Sequence, residues 1–89
     1  MDKLLLNPIR LKVISTLANT EFCNFNFLLQ LTESSKGNLS VQLKKLEENR
    51  YIKIHKSFKN NYPNTNCSIT DLGRDQFNKF INSIISLKQ

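Results

Sequence analysis

Residues 34–52, SSKGNLSVQLKKLEENRYI, hold one change of hydrophobic period, and that change decides the fold. Leu39, Leu43 and Leu46 stand at i, i+4 and i+7, the stripe of an amphipathic helix. This predicts a helix over about 35–49, with Ser34 or Ser35 as its N-cap. Val41 falls nearly opposite the leucines, Asn38, Lys44 and Lys45 flank Val41, and Lys36 and Gln42 sit nearer the edges of the stripe. From Tyr51 the period becomes two: Ile52 and Ile54 alternate with Lys53 and His55, as in a strand with one buried face.

Working upstream, residues 8–19 read as a helix. Asn7 serves as N-cap, Pro8 takes the first position where its missing N–H is harmless, and Ile9, Val13, Ile14 and Leu17 share a face. A short strand is expected around Phe22-Cys23. FNFLLQL, residues 25–31, then resumes helical spacing behind an Asn24 cap, with Phe25, Leu28 and Leu29 inward. Thr32 to Ser35 is a polar turn, so this helix and the next form a helix-turn-helix. Downstream, SFKNNYPN (57–64) is a turn cluster and TNCSIT (65–70) alternates again, giving a β-hairpin wing over about 51–70. A last helix over about 71–87, capped by Thr70 or Asp71, carries Leu72, Phe77, Phe80, Ile81, Ile84, Ile85 and Leu87. The expected fold is α+β and mostly helical: helix, short strand, helix, helix, hairpin, helix, as a single domain over residues 1–89.

The 89 residues suit one domain. No run of about 18 apolar residues is present to span a membrane, and the three leucines before Asn7-Pro8 are too few for a signal peptide. Enzyme chemistry is poorly supplied. There is one His, His55, and no CxxC, HExxH, GxSxG or GxxxxGK[ST] motif, and with two glycines a phosphate-cradling loop is excluded in its usual forms. No cofactor is implied. Two Cys and one His fall short of a four-ligand zinc site. Cys23 and Cys67 without a secretory signal suggest free thiols in a reducing, cytoplasmic setting.

The net charge is +6, which favours an acidic partner, nucleic acid before an anionic membrane surface. Its distribution is more telling. Lys36, Lys44, Lys45, Arg50, Lys53, Lys56 and Lys59, against Glu47 and Glu48, place +5 of the +6 on the second helix of the helix-turn-helix and the hairpin behind it. An α-helix fits the major groove of duplex DNA. There Asn38 and Gln42 can pair with adenine, Val41 can touch a thymine methyl, and Lys36, Lys44 and Lys45 suit phosphates. At the hairpin tip Lys56, Lys59, Asn60 and Asn61 can reach the backbone or the adjacent minor groove. Each feature has a plainer explanation alone: a lysine-bearing helix face is commonly only solvated, and Asn60-Asn61 is ordinary turn chemistry.

GNLSVQLKKLEENRYI, followed by TNCSITDLGRDQF, resembles the winged helix-turn-helix transcriptional regulators, in particular the small archaeal and bacterial branch related to the MarR and ArsR types. The similarity runs from NPIRLKVISTL onward. It implies a non-catalytic, cytoplasmic dimer on operator DNA, core roles for Leu39, Leu43 and Leu46, and pairing of the short first strand with the second wing strand, which makes Cys23 and Cys67 neighbours. Three positions depart from the family's pattern: Gln42 stands where His is common, Arg50 where Gly ends the recognition helix, and Cys67 where an aromatic is common. If residue 50 is left-handed, a side chain there costs roughly 1 kcal/mol; otherwise Asn49 takes that role.

Two further expectations follow. Cys23 and Cys67 are read first as unreactive thiols and second as a redox switch. The apolar surface of the last helix is wider than one small core needs, so Leu4, Leu5, Leu6, Phe77, Phe80, Ile81, Ile84 and Ile85 are expected to form a homodimer interface. The alternative is that this helix only covers its own core. The function expected is sequence-specific duplex DNA binding by a transcriptional regulator, a repressor, with a protein-interaction module of a transcription or repair assembly as the alternative. No membrane partner is expected, and any small-molecule effector would sit at the dimer interface or act through the thiols.

Overall fold

The computed structural model describes Met1–Lys88. A 3-10 turn over Lys3–Leu6 precedes α1 (Pro8–Leu17), β1 (Cys23–Asn24), α2 (Phe25–Thr32), α3 (Lys36–Glu48), β2 (Ile52–Lys59), β3 (Tyr62–Ile69) and α4 (Asp71–Ser86). The element order is the one expected, and α1 stops two residues early. The N-terminal 3-10 turn is an addition, made local by Asp2, whose carboxylate accepts from the Leu4 N–H.

The caps are side-chain oxygens at the expected places. Asn7 Oδ1 accepts from Ile9 and Arg10 N–H at 2.9 and 3.0 Å, Asn24 Oδ1 from Asn26, Ser35 Oγ from Asn38 and Thr70 Oγ1 from Gly73. Each satisfies a donor that a helix start leaves orphaned, for about 1 kcal/mol.

Leu39, Leu43 and Leu46 of α3 are buried with Val13, Ile14 and Leu17 of α1, Leu28 of α2, Ile52 and Cys67 of the sheet, and Phe80 of α4. At about 1.5–3 kcal/mol for each large side chain withdrawn from water, this cluster is the main source of stability. Leu5 and Phe80 belong to it, at 0% and 3% exposure. That corrects their expected place in a dimer interface: both cover the protein's own core. Leu4, Phe77 and Ile81 are half-buried against the same cluster.

The sheet is antiparallel with order β1-β3-β2. Its wing spans the residues expected, but its strands reach further into the hairpin than the sequence suggested, because the turn is only Asn60-Asn61 and Lys59 pairs with Tyr62. Both asparagines have positive φ, 53° and 67°, which a two-residue hairpin turn of the primed type demands and Asn tolerates. Pro63 is consequently a strand residue opposite Phe58. In the alternating antiparallel ladder that pair follows the hydrogen-bonded Lys59–Tyr62 pair, so the missing N–H falls where β2 needs no donor.

The turn from α3 into β2 resolves the alternatives at residues 49 and 50. Asn49 stays right-handed, while Arg50 has φ 65°. Arg50 N–H donates to Glu47 O and Tyr51 N–H to Leu46 O, both at 2.9 Å, the paired bonds of a Schellman closure with Arg where Gly is usual. The Tyr51 carbonyl then accepts from Thr70 N–H at 3.0 Å, and the start of α4 lies directly against it. A Cβ added to Gly73 would meet Tyr51 O at 2.2 Å, so only glycine fits.

Two substitutions test this junction in urea denaturation. Gly73→Ala is expected to destabilise by at least about 2 kcal/mol, because the obstacle is backbone. Arg50→Gly is expected to stabilise by about 1 kcal/mol through relief of the left-handed strain.

Candidate nucleic-acid interface

Because α3 buries its leucine stripe, it exposes Lys36, Gly37, Asn38, Ser40, Val41, Lys44 and Lys45. Val41 is 51% exposed on the outermost line of the helix, an apolar group with nothing to cover it. Five of the sequence-predicted residues are thus exposed on α3, Lys36, Asn38, Val41, Lys44 and Lys45, and Lys56 of the wing lies across a groove from Lys44. A groove of about 560 Å³ separates the two elements, lined by Ser40, Lys44 and Glu47 on one side and Ile54, Lys56 and Thr65 on the other.

Gln42 does not belong to this surface. It is 8% exposed, its Oε1 accepts from Arg10 Nη1 of α1, and its Nε2 donates to Asn38 Oδ1 at 3.0 Å. Arg10 is itself held by Nε to Leu4 O at 2.7 Å. The expected base contact is therefore corrected to a buried polar link between α1 and α3. The physical reason is its position at the edge of the leucine stripe, where a long polar side chain can turn inward to a cation from a neighbouring helix.

The wing divides its charge. Ile52, Ile54, Lys56 and Phe58 point to the α3 side of β2, while Lys53, His55, Ser57 and Lys59 point to the other. Lys59, Asn60 and Asn61 are exposed at the tip. Phe58 and Tyr62 stand beside them, 78% and 75% exposed, and the sequence reading missed them by assigning 57–64 to a turn. For Phe58, alternation with Ser57 and Lys59 was the available signal. Among the described residues the one ion pair is Lys79–Asp75 on α4, so no carboxylate within 4.0 Å neutralises the lysines of α3 and the wing.

Cys23 and Cys67 are direct cross-strand neighbours, as the resemblance implied, and both are free and buried. Burial pushes the Cys67 thiol up to about 11, with Cys23 and Glu47 adding to the effect. Burial also raises Cys23. The thiolate is the reactive form, so at neutral pH both stay as packed thiols, which favours the first of the two readings over the switch.

Residues 9–87 match the family model described as a winged helix DNA-binding domain. An uncharacterized protein of Methanocaldococcus jannaschii, MJ0432, is 33% identical over 98% of this chain and 95% of its own. The structure of a transcriptional regulator homologue from Pyrococcus horikoshii superposes with a TM-score of 0.86 at 27% identity, covering 94% of this chain and 83% of that one. The transcriptional repressor BigR of Xylella fastidiosa shares the fold, with TM-score 0.71, 22% identity, and 98% and 82% of the two chains covered. So does a MarR family regulator of Silicibacter pomeroyi, at TM-score 0.74 and 17% identity over 94% of this chain and 55% of that one.

The thiol assignment has a pH signature. With its folded value raised above the ordinary 9.0, Cys67 contributes stability that is complete below about pH 9 and lost as pH rises to about 11. In urea midpoints the deficit of Cys67→Ala relative to wild type is expected to be largest below pH 9 and to narrow by pH 11.

Proposed function

The chain belongs to the winged helix DNA-binding domain family, and from that premise we propose that it is a homodimeric regulator of transcription that binds specific duplex DNA and represses by occupancy. The observation that carries this is the exposed face of α3. It combines unpaired lysines for phosphates, Lys36, Lys44 and Lys45, with Asn38 and Val41 for base edges. Lys56 lies across the groove from Lys44, within reach of the flanking backbone.

Two copies are favoured by the apolar side chains left uncovered near both ends of the chain. Leu6 is 56% exposed, Ile85 52% and Leu87 73%, with Ile84 also exposed. These side chains are what remains for the wider interface expected from sequence, since Leu5 and Phe80 are already spent on the core. Two-fold symmetry would set two α3 helices about 34 Å apart, one turn of DNA. Binding and occupancy need no catalytic group. No helix among the described residues is long and apolar enough to cross a membrane. We take the chain to act as one domain, in the cytoplasm.

Selection from a random duplex library tests the reading. Wild type is expected to recover pseudo-palindromes with half-sites about one helical turn apart. Lys44→Glu with Lys45→Glu is expected to weaken all selected sequences alike and to flatten the slope of log K against log salt by about 2 or more per protomer. Undiminished affinity in that variant would show that α3 does not face the DNA.

A further inference from the structure

Asn38 is the one exposed amide on the outer side of α3, and its free rotation would let it pair with adenine as donor and acceptor together. The chain does not leave it free. Arginine carries donors only, and Arg10 is fixed by Nε to Leu4 O. Its Nη1 therefore requires an acceptor from Gln42, which supplies Oε1. Gln42 is buried and cannot turn to water, so its NH₂ is directed at Asn38, which must answer with Oδ1. Reversing Gln42 would set NH₂ against a guanidinium, and reversing Asn38 would set NH₂ against NH₂. The polarity of a cation on α1 is thus passed through two amides to the surface of α3. It leaves the Asn38 Nδ2 donor facing outward.

We propose that Arg10 and Gln42 act as positioning residues that fix Asn38 as a hydrogen-bond donor, so that α3 selects guanine at the position Asn38 contacts. This rests on the reading of α3 as a DNA-facing helix and specifies what it reads. In the major groove guanine offers two adjacent acceptors, N7 and O6. Thymine offers O4 beside a methyl, adenine sets its amino donor next to N7, and cytosine presents an amino donor. An outward NH₂ fits guanine best and is opposed by the amino groups of adenine and cytosine.

The test is selection from a random duplex library with the full chain as wild type, Gln42→Glu and Asn38→Asp. Glu at 42 keeps the pairing with Arg10 but can only accept, so Asn38 turns its NH₂ inward and exposes Oδ1. Asp at 38 exposes an acceptor directly. Wild type is expected to prefer guanine at one position per half-site by on the order of tenfold. Both variants are expected to move that position alone to cytosine, whose amino group donates. A merely structural role for Gln42 would lower all affinities together without changing one base. If Gln42→Glu loses its cooperative thermal transition, the exposed Asn38→Asp carries the test. Adenine in wild type at the position that Asn38→Asp alters, or no alteration in Asn38→Asp, overturns this inference while duplex binding stands. Recovery of no duplex by wild type overturns the DNA-binding reading and this inference with it.

Discussion

The backbone of Tyr51 is the constraint on which the arrangement depends. Its N–H closes α3 onto Leu46 O, its carbonyl receives the Thr70 N–H, and Gly73 packs against that carbonyl where no Cβ fits. Its hydroxyl donates to Asp2, beside the N-terminal 3-10 turn. Removal from water and that carboxylate raise the phenol to about 12. One residue thus joins the end of α3, the start of the wing, the start of α4 and the N-terminus. A helix and a hairpin that could otherwise hinge are held at one relative angle, and the groove between them keeps its width.

With that angle fixed, the placement of side chains follows from which faces are used up. The leucine stripe turns α3 so that Lys44, Lys45, Asn38 and Val41 face outward, and the pleat of β2 puts Lys56 on the same side as that surface. The +5 concentrated in this region is therefore not one uniform patch. Part of it lines the groove and part, Lys53 and Lys59, lies on the far side of the wing. On the proposed reading the groove side holds the duplex, while the wing tip, with Phe58 and Tyr62 bare beside Lys59, reaches beyond it.

The element order was legible because each signal was local: a leucine stripe, a switch to period two at Ile52, and capping side chains at Asn7, Asn24, Ser35 and Thr70. The Cys23–Cys67 neighbourhood came from the resemblance and is present in the register. Less legible was whatever depends on a partner distant in sequence. Gln42 looks like a surface amide until Arg10, 32 residues away, is seen to claim it. Leu5 and Phe80 look like surplus apolar groups until the 3-10 turn and α4 fold onto the core. The length of the wing's strands was hidden because Asn60-Asn61 and Pro63 read as one loop, although only the two asparagines turn the chain. The left-handed Arg50 was anticipated as one of two alternatives, since either residue could in principle have closed the helix.

The central claim is that α3 enters the major groove while the wing holds the backbone beside it. Dimethyl sulfate protection on a selected duplex tests this directly, because guanine N7 lies in the major groove and adenine N3 in the minor groove. The account predicts that bound protein shields guanine N7 in each half-site. Open guanine N7 throughout, with shielding confined to adenine N3, would contradict it.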